Sequence, residues 1–176
     1  YAYAFVQLEA ERLDAKDAKA AQKLRERAAL LYRRAQRHAF NTFEQQTPGF
    51  AKALASDKPA DWPNLRPDQI GLAYWAAAAW GGQIALSKDD PNTVADLPLA
   101  IRLARLAWET APDFGKGALA SLMGSFEVAR PGGSRAQALA YFDQAITLGA
   151  GQNAGAFVAK AEGMAGGVSY SQALVF

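Results

Sequence analysis

The chain contains no cysteine, one histidine and two methionines among its 176 residues. Without cysteine there is no disulfide and no thiolate metal site, and the redox compartment is left open. With His38 as the sole imidazole, a histidine-built metal centre or a Ser-His-Asp triad lacks its material. Nineteen Lys and Arg against seventeen Asp and Glu leave a formal charge of +2, not the basic field that nucleic acid requires. Apolar/polar alternation of period two is missing over any useful length, so no strands are expected. No stretch reads as a signal peptide. The longest apolar run, 70–86, is at the short limit for a bilayer span. It also carries Gly81-Gly82-Gln83 and keeps its aromatics inside, not in interfacial belts.

What is present is an ordinary globular composition, 51% hydrophobic and 20% charged, enough for one domain over 1–176 with a substantial core. The chain opens in mid-pattern at Tyr1 and stops at Phe176 without a cap, which reads as an ordered fragment cut at both edges. The run 70–86 organises the remainder. It is apolar or small on nearly every face, with Gln83 its strongest polar side chain, so it is expected to be buried among other helices. Tyr74, Trp75 and Trp80 supply bulk between alanines and glycines that let backbones approach. Asp68 is expected to cap its start, and Lys88-Asp89-Asp90-Pro91 to end it. Asp96 should cap the next helix, with Pro98 tolerated in the first turn.

Helical spacing predicts further helices over 1–14, 18–46, 97–110, 114–130, 135–148 and 154–164, a short helical turn over 50–56, and a last helix from Tyr170. On the helix 18–46, about 40 Å long, Leu24, Ala28, Leu31, Ala35 and His38 form the expected inward stripe, with arginines solvating the rest. Thr47-Pro48-Gly49 stops it, and Pro59, Pro63 and Pro67 make a loop pinned by Trp62 and Leu65. The fold class is therefore all-α. Ala100, Ala104, Ala107 and Pro112 are echoed 38 residues later by Ala138, Phe142, Ala145 and Ala150. These separations match those of small residues in helix B of a tetratricopeptide repeat. The expected architecture is an α-solenoid of degenerate tetratricopeptide-like hairpins, each stacking on its neighbour because it cannot bury its own face.

In order along the chain, YWAAAAWGGQIALSKDD, VADLP, APDFGKGAL, FEVARPGG and a helix ending Ala-Ile-Thr-Leu resemble the TatT family. TatT is the T component associated with tripartite ATP-independent periplasmic (TRAP) transporters. The resemblance covers about 68–176, and the N-terminal third shares only helical character. Ala120 stands where the family usually has His, and Ala173 where an acidic residue is common. The resemblance implies a periplasmic lipoprotein, its lipid-bearing Cys upstream of Tyr1, that forms a homo-oligomer, a trimer. It also implies docking of a periplasmic substrate-binding protein of a TRAP transporter and an apolar cleft for a hydrophobic small molecule.

The candidate ligand-lining residues are Tyr74, Trp75, Trp80 and Phe126, although such aromatics, like Tyr141 and Phe157, are most often plain core in a helical protein. The candidate partner-binding residues are Lys88, Asp89, Asp90 and Arg130. They stand in the two connections that interrupt the repeat, and long connections accumulate where a surface is used. These loops should be neighbours in space. Asp89, Asp90, Asn92 and Asp96 lack the glycine and bidentate acid of a calcium loop and read as helix caps. Arg130-Pro131-Gly132-Gly133 follows a helix and opens no phosphate loop, so Arg130 is assigned to the helix C-terminal dipole and to Glu127. His38 is read as a hydrogen-bonded core or groove residue. No catalytic set, cofactor, metal or nucleic-acid partner is expected. The alternative to a transport scaffold is a generic tetratricopeptide-like adaptor, which would need a concave face lined by Lys, Arg and Asn where this chain offers Ala, Leu and Phe.

Overall fold

Local signals place the longest helix. Asp17 accepts a hydrogen bond from the Ala20 amide at 2.9 Å and Thr47-Pro48-Gly49 closes the other end, so the helix runs Ala18–Gln46. The computed structural model describes residues 1–165, and no strand forms among them. A π-helical turn, Ala2–Gln7, runs into α1 (Leu8–Leu13). There follow α2 (Ala18–Gln46), α3 (Phe50–Leu54), α4 (Ile70–Leu86), α5 (Pro91–Ala95), α6 (Leu97–Thr110), α7 (Ala118–Ala129), α8 (Arg135–Leu148) and α9 (Ala154–Met164). The helix expected from Tyr170 lies outside the described residues.

Helices pack on their neighbours in the chain: α1 on α2, α2 on α4, α4 on α6, α6 on α7, α7 on α8 and α8 on α9, with α7 also meeting α9. Between α2 and α6, α4 buries Ile70, Ala73, Tyr74 and every residue from Ala76 to Ala85. Its small residues are what allow this. The Tyr32 ring of α2 lies so close to Gly82 that a Cβ there would stand 2.9 Å from Cζ. The same tyrosine donates to Gln7 Oε1 at 2.9 Å and ties the N-terminal turn down. Phe43 stacks on Phe50 at 4.1 Å and Phe40 meets Trp80 edge-on at 5.2 Å, closing the core where α2, α3 and α4 converge. Ala100, Ala104, Ala107, Ala138, Phe142 and Ala145 are fully buried, as their spacing predicts.

Several local expectations give way to tertiary contacts. Ala35 and His38 are exposed, and the inward face of α2 is instead Ala21, Ala28, Tyr32, Ala39 and Phe43, rotated toward α4 and the N-terminal turn. Asp68 does not cap α4. It sits in a 3₁₀ turn, Pro67–Gln69, paired with Arg66 at 3.1 Å. The buried Gln69 does the joining: its Oε1 accepts from the Arg66 amide at 3.0 Å while its Nε2 donates to Gln46 at the end of α2 at 2.8 Å. The segment expected to be helical from Phe114 starts helix only at Ala118. Gly115, Lys116 and Gly117 all have positive φ, and at Gly117 (φ 93°) a Cβ would lie 2.4 Å from the Ala145 carbonyl oxygen. A left-handed turn pressed onto α8 has room for glycine alone there.

Candidate functional site

The connection after α4 is built by Asp90. Its carboxylate accepts from the Asn92 amide at 3.1 Å and the Thr93 hydroxyl at 2.7 Å, and these bonds hold its carboxyl below the usual carboxylate range. With Pro91 at the first helical position, this cap turns the connection into α5, which projects Val94 beside Leu97 at the start of α6. Asp96 makes no side-chain cap for α6, contrary to expectation. Its Oδ2 accepts from the Trp80 indole N–H at 3.2 Å, which fastens the α5–α6 junction to the middle of α4.

The second connection is organised by Glu127, buried at the end of α7. It binds Arg130 through both oxygens, from Nε at 2.8 Å and Nη2 at 2.5 Å, and accepts from the Ser134 amide at 2.7 Å. The Arg130 hydrogen bonds hold the Glu127 carboxyl below its usual range despite burial, and the pair raises Arg130 in turn. A Cβ on Gly133 would stand 1.9 Å from the Glu127 carbonyl oxygen, so the loop folds against α7 with Pro131 facing α5 and α6.

Between these connections lie two adjoining chambers, about 540 Å³ and 240 Å³, that share Val94, Leu97 and Pro131 as walls. The smaller is completed by Ile84, Ala85 and Ala129 with Lys88 at its edge; the larger by Trp62, Ile101, Arg102, Arg105 and Arg130. The chemistry is an apolar floor under a cationic border, the usual combination for binding a small molecule. Arg102 lies 4.3 Å over the Trp62 ring and donates to the Leu54 and Ser56 carbonyls at 2.5 and 2.8 Å, while the Trp62 indole also donates to Ser56 at 2.8 Å. Desolvation by the walls pushes the Lys88 amine below the usual lysine range.

Of the residues singled out from sequence, Lys88 lines the smaller chamber and Arg130 the larger, with Asp89 exposed beside Lys88 and Asp90 committed to its cap. The four aromatics do not converge. Trp80, 5% exposed, and Phe126, fully buried, belong to the core. Trp75 is 66% exposed, and with Tyr74 it lines a separate groove of about 470 Å³ against Tyr1, Tyr3, Leu31 and Tyr32. His38 stands at the edge of a shallow neighbouring groove, also beside Trp75. The residues missed are Trp62, Val94, Leu97, Ile101 and Arg105. Ile101 and Arg105, one turn apart on α6, carried a faint signal, an apolar and a basic side chain on the face opposite the alanine stripe.

Among the described residues no helix is long and apolar enough to cross a membrane, and no group of three metal-ligating side chains forms. Residues 1–170 match the model of a family described as TAtT, TRAP transporter T-component, so the similarity extends through the N-terminal third that its motifs had left out. No curated protein matches the chain significantly.

Proposed function

The chain belongs to the TRAP transporter T-component family, and from that premise we propose that it is a non-enzymatic periplasmic scaffold and ligand-relay component of a TRAP-type uptake system. In this reading it docks a substrate-binding protein through the border carried by Lys88, Asp89, Asp90 and Arg130 and holds a hydrophobic ligand in the cleft beneath. The observation that carries the reading is that both repeat-interrupting connections border the same pair of adjoining apolar chambers. A ligand in that cleft would be handed over where the partner sits. The consecutive packing of α2, α4, α6, α7, α8 and α9 supports a tetratricopeptide-like solenoid. The exposed apolar side chains of Tyr1, Phe5, Leu30 and Trp75 support self-association, for which the family resemblance favours a trimer. That resemblance also supports a lipid anchor through a Cys upstream of Tyr1.

Titration calorimetry against the purified cognate substrate-binding protein tests docking. Lys88→Glu and Asp89→Lys should weaken binding and change its salt dependence, and Asp89→Lys, at an exposed position, should do so while thermal stability holds. Asp90 is unsuited to the test because its replacement removes the α5 cap. Unchanged affinity in both variants would refute docking at this border.

A further inference from the structure

We propose that the cleft accepts a singly charged anionic amphiphile, its head held by Arg105 in the larger chamber and its apolar tail running past Leu97 into the smaller one. This rests on the reading of the cleft as the ligand site and adds the ligand's chemical class. Four cations, Lys88, Arg102, Arg105 and Arg130, border the two chambers, and no carboxylate side chain is among the described residues that line them. The guanidinium groups differ in what they have left to offer. Arg130 is neutralised by Glu127 through both oxygens, and Glu127 is in turn held by the Ser134 amide. Arg102 is fixed on two backbone carbonyls and stacked on Trp62. Arg105 lines the larger chamber and forms no hydrogen bond or ion pair within 4 Å among the described residues. Arg105 adds, less than Arg130 does, to the electrostatic pull that holds the Glu127 carboxyl below its usual range.

One uncommitted guanidinium matches one anionic head, which it can bind with paired N–H donors. The smaller chamber, walled by Ile84, Ala85, Leu97 and Ala129 with Lys88 its one polar side chain, suits a hydrocarbon chain. A neutral lipid would leave the Arg105 guanidinium without a hydrogen-bonded anion, and a cationic amphiphile would be repelled by it.

Decanoate, decanol and decyltrimethylammonium, each below micelle formation, serve as probes in calorimetric titration of the full chain. Trp62 fluorescence reports the site, its contribution identified by its loss in Trp62→Phe. Decanoate should bind about tenfold more tightly than decanol, as one charge-assisted contact provides, and decyltrimethylammonium should bind more weakly than either. Arg105→Gln, on the exposed face of α6, should bring decanoate down to the level of decanol and leave decanol unchanged. Equal binding of decanoate and decanol, or an Arg105→Gln variant that still prefers decanoate, overturns the anionic head while the hydrophobic-ligand reading stands. Failure of all three probes to bind overturns both.

Discussion

Replacing Trp80 separates two roles that a buried tryptophan combines. The indole is 5% exposed, meets Phe40 edge-on at 5.2 Å and donates its N–H to Asp96 at 3.2 Å, so it fills the α2–α4 core and holds the α5–α6 junction. Trp80→Ala leaves a cavity between backbones that Gly82 and the alanines already keep close, and should cost about 3–5 kcal/mol. Trp80→Phe keeps a ring against Phe40 but removes the donor. Because Asp96 is half-buried and water can partly replace the lost bond, the cost of that bond should lie near the low end for a charged partner, about 1.5 kcal/mol, with a further loss for the smaller ring. Urea unfolding followed by circular dichroism measures both. With a slope of about 2 kcal/mol/M, the alanine variant should unfold about 2 M earlier. Asp96→Ala in the Trp80→Phe background should then add little, because the two residues report one interaction. A Trp80→Ala variant destabilised by less than about 1 kcal/mol would refute the packing argument. Strict additivity of Trp80→Phe and Asp96→Ala would refute the claim that the indole anchors the junction.

Glu127→Gln should destabilise the protein at neutral pH by about 1–3 kcal/mol through loss of the Arg130 and Ser134 contacts. Because the folded carboxyl lies below its unfolded value, that stability is present above about pH 4.3 and lost as pH falls through the folded value. The gap between wild type and variant in urea midpoints should therefore close on acidification, and a gap independent of pH would contradict it. Gly117→Ala should cost at least about 1–3 kcal/mol, since positive φ and the Ala145 carbonyl both oppose a side chain; a melting temperature equal to wild type would show that the turn is misplaced. Tyr32→Phe should lose about 1 kcal/mol by leaving Gln7 without its buried donor, readable in the same unfolding assay. His38→Ala should change stability by less than about 0.5 kcal/mol because the imidazole is exposed, and a larger loss would restore it to the core.

The sequence by itself determined the helical class and most helix limits. The ends of α2, α8 and α9 follow from Asp17, Thr47-Pro48-Gly49, Ser134 and the glycine turn before Asn153. Caps and breakers act within a few residues, so the chain carries them openly. The family was legible for the same reason, through ordered blocks. Only tertiary structure decided which side of α4 is covered. A helix apolar all round has no preferred face, so Trp75 and Trp80 looked alike until α2 and α6 buried one and left the other in water. Asp96 looked like a cap, yet an indole sixteen residues away competes for its carboxylate. Residues 115–117 looked helical, yet the approach of α8 imposes a left-handed turn. The cleft was divided in the same way. Lys88 and Arg130 stood out as interruptions in a pattern, whereas Trp62, Val94, Ile101 and Arg105 belong together only because three separate connections fold over the start of α6. No spacing along the chain encodes a wall assembled from segments so far apart.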